Sequence, residues 1–140
     1  MTSWLFIPFV GHFALVVMLY VALSVLRLRN VMSGSSRYDD YLRPDGDSGA
    51  VLRIQRNLSN QFEAPMFAYI AMLVIAMNHA TTTWDLWAAW IFLAGRLVHS
   101  AVQTLTANVR LRGAVFAINF IGIMMLVAHV AWLAATGALK

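Results

Sequence analysis

The sequence predicts an all-α integral membrane protein, a four-helix bundle with left-handed, up-and-down packing. Three observations carry this. Of the 140 residues, 61% are hydrophobic and only 11% are charged, whereas soluble domains average about half apolar and about a quarter charged. The apolar residues gather into runs long enough to cross a bilayer at about 1.5 Å per residue. The basic residues sit at the ends of those runs. Mean hydropathy is +0.70, and the length suits a single domain over 1–140. The net charge of +4 follows membrane topology rather than a basic face, so no nucleic-acid partner is expected. Without cysteine, the chain has no disulfide, no thiolate metal site and no cysteine nucleophile. Any thiol chemistry needs a thiol from outside.

The first span covers 4–28. No basic residue precedes it and no small-x-small cleavage site follows, which marks a retained helix rather than a signal peptide. The second covers 50–78; its apolar half, "PMFAYIAMLVIAM", is short, so the helix is expected to start earlier, in more polar surroundings. The third covers 84–106 and the fourth 112–136. Trp4, Trp84, Trp87 and Trp132 lie near span ends, where amphipathic rings favour the interface.

The loop 29–49 is the one long polar segment and is rich in turn residues. Its aspartates, Asp39, Asp40, Asp45 and Asp47, lack calcium-loop spacing and read as solvated. Arg27, Arg29, Arg37, Arg43, Arg53 and Arg56 belong to this loop and its margins, and Arg110 and Arg112 to the loop 106–111 and its margin; the C-terminus has only Lys140. The positive-inside rule then puts loops 29–49 and 106–111 in the cytoplasm and both termini outside, with membrane lipids around the bundle.

Polar groups share helix faces. Arg53, Arg56, Asn60 and Glu63, at i, i+3, i+7 and i+10, form one stripe about 15 Å long. Glu63 is the deepest, and a buried carboxylate needs a partner or must protonate. Arg56 is able to approach it directly or through a ligand. Pro65 cannot donate to the Gln61 carbonyl, so a kink or a freed acceptor is expected there. In the third span "GRLVHSAVQ" puts Arg96, His99 and Gln103 on one face. Arg96 and Glu63 are expected to meet as a structural ion pair between helices, with ligand contact as the other role for Arg96. Arg110 and Arg112 frame the start of the fourth helix, a setting that suits an anion. His12, His79 and His129 are isolated and show no metal spacing, so no metal is expected; Asn119 is expected to bond across to another helix.

At these residues the chain resembles the membrane-associated proteins in eicosanoid and glutathione metabolism, the MAPEG family, as a bacterial-type member. The family's second-helix pattern, arginine then Asn-x-x-Glu and a nearby proline, is found as Arg56, Asn60, Glu63 and Pro65. Its Gly-Arg-x-x-His pattern is Gly95, Arg96 and His99, and its fourth-helix arginine aligns with Arg112. Arg27, Leu28 and Arg29 match the end of its first helix. The resemblance implies a homotrimer in a bacterial inner membrane, with glutathione as cosubstrate in cavities between neighbours. It implies that Arg112 is catalytic, stabilising the thiolate for attack on a lipophilic electrophile or hydroperoxide. Arg56, Asn60, Glu63, His99, Gln103 and Arg27 would hold the peptide. Gln103 stands where the eukaryotic enzymes have a tyrosine, Ser59 where they often have an arginine, and Gly113 where they have a serine. Those departures leave a non-catalytic scaffold of the same fold as the alternative. A small proton-coupled exporter is the remote one.

Overall fold

The computed structural model describes residues 2–43 and 46–139. Asp45 and Lys140, named above, lie outside the described residues. Among the described residues, five α-helices make the bundle: α1 (Thr2–Met32), α2 (Gly49–Asn60), α3 (Pro65–Met77), α4 (Thr83–Leu105) and α5 (Val109–Ala135). Three stretches are long and apolar enough to cross a membrane: Thr2–Met32, Gly49–Met77 and Val109–Ala135. The third expected span is α4, which carries most of the buried polar side chains.

The second span, expected as one kinked helix over 50–78, is broken. Pro65 has no N–H and its ring crowds the carbonyl four residues back, so it takes the first helical position of α3, where neither matters. The chain turns over 61–64, closed by bonds from Gln61 N to Leu58 O and from Phe62 N to Ser59 O, each 3.0 Å. The first helix also runs past 28 to Met32, and the loop after it contains a 3₁₀ turn, Tyr38–Leu42. The fourth helix starts at Val109 rather than 112, because Asn108 caps it by accepting from Leu111 N at 3.0 Å. A reciprocal Thr82–Asp85 capping box starts α4.

Helices α4 and α5 share the most extensive interface, and two glycines explain why. A methyl group on Gly95 would lie 2.5 Å from the Asn119 backbone N, and one on Gly122 would lie 2.6 Å from the Phe92 N. Each glycine lets the facing backbone come close, as small residues do between membrane helices. Asn119, expected to bond to another helix, instead donates to the Phe116 carbonyl of its own helix at 2.6 Å. At this close crossing its side chain sits beside Gly95, which has no side chain to offer it a partner. One apolar core joins Leu5, Met72, Ile75, Phe92, Ile123 and Leu126; a second packs Leu15, Leu19 and Leu23 of α1 on Val51 and Leu58 of α2.

The outer surface is largely apolar, and polar groups are buried within beside the apolar cores. Trp4, Phe13, Phe67, Trp84 and Met124 are at least half exposed, while Arg96, His12, Asn57 and Asn119 are wholly buried. That distribution suits a hydrocarbon surround, where polar groups must find partners inside the protein.

Candidate functional site

Where α2 and α4 end and α5 begins, a cavity of about 580 Å³ opens between them. Helix α2 and the turn after it contribute Arg56, Asn60 and Glu63; α4 contributes His99 and Gln103; α5 contributes Arg112. The helical repeat brings the α2 residues to one side, and the turn at 61–64 keeps Glu63 on that side after the helix has ended. An adjoining recess of about 270 Å³ shares Arg56, Gln103 and Arg112 and adds Arg53. Asn60 Nδ2 donates to Gln103 Oε1 at 3.1 Å, which fixes both amides at the cavity wall. The His99 ring meets Phe116 edge-on with centroids 5.6 Å apart, and its Nδ1 is buried with no partner among the described residues. Arg56 and Glu63 are exposed in the single chain, so the cavity is open at that side.

Behind the cavity lies a buried network that centres on a residue the sequence reading passed over. Gln61 Oε1 accepts from Arg96 Nε at 3.1 Å, from Arg96 Nη2 at 2.7 Å and from His12 Nε2 at 2.7 Å. An amide oxygen only accepts, so His12 carries its proton on Nε2, and Nδ1 is left to bond the Tyr69 hydroxyl. Gln61 Nε2 donates to Asn57 Oδ1 at 2.7 Å and to Ser100 Oγ at 3.2 Å. Arg96 Nη2 also donates to the Asn60 carbonyl at 2.8 Å, so the network holds the backbone of a cavity residue.

The expected ion pair between Arg96 and Glu63 is therefore corrected. The two form no ion pair among the described residues. The break before Pro65 turns Gln61 inward to meet the guanidinium and leaves Glu63 exposed. A signal for Gln61 was available: Arg96 needs an acceptor, and Gln61 stands beside the helix break. On a continuous helix, however, it falls off the stripe of Arg56, Asn60 and Glu63.

The MAPEG family model matches residues 5–132, nearly the whole chain. The chain belongs to the MAPEG family. No curated protein and no solved structure matches it at a significant level. Membership makes it a membrane protein of the glutathione-related kind.

Within this MAPEG chain, Arg27 does not reach the cavity. Its Nε donates to Asp47 Oδ1 at 3.0 Å, and its Nη2 bonds the other carboxylate oxygen. The Tyr41 ring lies 4.9 Å from its Cζ, in cation–π range. Asp47, expected to be solvated, has a side chain only 7% exposed. A neighbouring loop carboxylate thus holds the arginine at the end of α1, away from the other residues expected to bind the peptide.

Proposed function

We propose that this MAPEG-family chain binds glutathione in the cavity of Arg56, Asn60, Glu63, His99, Gln103 and Arg112, and activates its thiol. The observation that carries the reading is charge complementarity. Glutathione has two carboxylates, one ammonium group and one thiol. The cavity and its recess present Arg53, Arg56 and Arg112 against one carboxylate, Glu63, with fixed amides between them. Guanidiniums match carboxylates in the forked geometry that lysine lacks. On this reading Glu63 takes the ammonium, Arg53 and Arg56 the carboxylates, and Arg112 the sulfur.

The chemistry follows from the thiol. A free thiol ionises near pH 8.5, and a guanidinium beside it favours the thiolate, the nucleophilic form. The thiolate attacks a lipophilic electrophile arriving through the bilayer; the sulfur–carbon bond forms as the leaving group departs with its electron pair. With a hydroperoxide, the thiolate instead attacks the terminal peroxide oxygen: an S–O bond forms as the O–O bond breaks, the alkoxide takes a proton from water and leaves as the alcohol, and a second glutathione converts the sulfenic acid to the disulfide and water. The open side of the cavity, at exposed Arg56 and Glu63, suits closure by a second copy in a homotrimer. On this reading the cavity opens to the cytoplasmic side of an inner membrane, which the arginine distribution supports through the positive-inside rule.

A scaffold that binds without turnover is the second reading, and one observation favours it. Gln103 has no titratable proton, and its amide oxygen is already engaged by Asn60. Isothermal titration of the detergent-purified protein with glutathione separates the cases. Micromolar to low-millimolar binding that collapses in Glu63→Gln supports the site, and conjugation of an aromatic electrophile supports the enzyme. Binding without product supports the scaffold. No binding to folded wild type defeats both.

A further inference from the structure

At the opposite end of the bundle, where α4 begins and α5 ends, lies a cavity of about 440 Å³. That size is within the range of about 300–1,000 Å³ common for small-molecule sites. Its walls include Trp84, Met125, Ala128 and Trp132, and its polar floor is built from Thr82, Asp85 and His129. Asp85 Oδ2 accepts from the Thr82 backbone N–H and hydroxyl, each at 2.7 Å, and Oδ1 accepts from His129 Nδ1 at 2.8 Å. A carboxylate only accepts, so Nδ1 carries a proton. In the neutral imidazole Nε2 is then a fixed acceptor, and no described residue donates to it. The His129 side chain lines the cavity and is 16% exposed, so the ring is reachable there.

The capping box alone would satisfy α4. The imidazole adds something else: one oriented acceptor in an apolar chamber. The geometry points to a second ligand site here, for a lipophilic phenol whose O–H donates to His129 Nε2. A cation finds no exposed carboxylate, because Asp85 is buried and each of its oxygens already accepts a hydrogen bond. An anion finds no lysine or arginine on the walls among the described residues. A neutral donor with an aromatic body meets both requirements, packing its ring beside Trp132, which lies 5.9 Å from the His129 ring. Trp84 and Trp132 are 75% and 59% exposed, so the entrance faces the interfacial zone of the bilayer, where amphiphilic phenols partition. This site is independent of the glutathione reading.

The test is equilibrium binding of radiolabelled 4-octylphenol and of 4-octylanisole to the full-length protein in lipid nanodiscs, with uptake by empty nanodiscs subtracted. The anisole keeps ring and chain but lacks the O–H. Wild type is expected to bind one phenol per chain, about tenfold more tightly than the anisole. Met125→Trp fills the chamber and leaves Thr82, Asp85 and His129 in place; it is expected to weaken phenol binding at least about tenfold. His129→Phe is expected to erase the preference for phenol over anisole. If that variant fails to fold, Met125→Trp decides. Absence of saturable binding, equal affinity for the two probes in wild type, or unchanged phenol binding in Met125→Trp overturns the proposal.

Discussion

Replacing Gln61 by leucine keeps the volume of a wholly buried side chain and removes both ends of its amide. Arg96 then loses the oxygen that accepts from Nε at 3.1 Å and Nη2 at 2.7 Å, and keeps only the Asn60 carbonyl at 2.8 Å. Its Nη1 already has no partner among the described residues. Two magnitudes compete. Side-chain hydrogen bonds between membrane helices average only about 0.6 kcal/mol, whereas stranding the donors of a buried charged group costs about 3 kcal/mol. The second governs, because the guanidinium is wholly buried. Gln61→Leu is expected to destabilise by about 3 kcal/mol. Arg96→Met alone leaves neutral groups unpaired and costs about 1–3 kcal/mol. Combining them removes donor and acceptor together, leaving the His12 Nε2–H as the main loss, so the double variant should be more stable than the sum of the singles by about 2 kcal/mol. The assay is unfolding of the micellar protein by sodium dodecyl sulfate, followed by circular dichroism. A loss below about 1 kcal/mol, or strict additivity in the cycle, would refute the placement of Gln61 as the partner of Arg96.

Four further outcomes follow from the same geometry. Arg112→Ala should lower the thiolate fraction of bound glutathione, read from near-ultraviolet absorbance, while Arg112→Lys restores part of it; unchanged absorbance removes Arg112 from the sulfur. Gly95→Ala pushes a methyl against the Asn119 backbone and should cost about 3 kcal/mol. Gly113→Ala, with open space around it, should change stability by less than about 1 kcal/mol, so equal effects would contradict the close α4–α5 crossing. Asp47→Asn weakens the hold on Arg27; with the Arg27 side chain 31% exposed, the loss should stay within about 1 kcal/mol, and faster proteolysis of loop 33–48 is the sharper readout. Thr82→Val removes the hydroxyl that caps α4 and should cost about 1 kcal/mol in the same unfolding assay.

The sequence by itself determined the class of protein. Apolar runs of bilayer length and arginines at their ends are properties of composition and order, so they needed no folding to be read. The convergence of Arg56 and Asn60 was legible for a similar reason: helical spacing puts such residues on one face whatever the helix packs against. Only the tertiary structure decided which partners those faces meet. Pro65 announced a disturbance, but whether the chain would bend or break depended on what could satisfy the freed backbone groups. The break it produced turned Gln61 to Arg96 and left Glu63 to the cavity. Arg27 was lost to Asp47, twenty residues along a loop with no periodicity to follow, and His129 joined Asp85 across forty-four. Hydrogen bonds act over about 3 Å, so which groups come within that reach is settled by loop closure and by the close helix crossing that Gly95 and Gly122 allow.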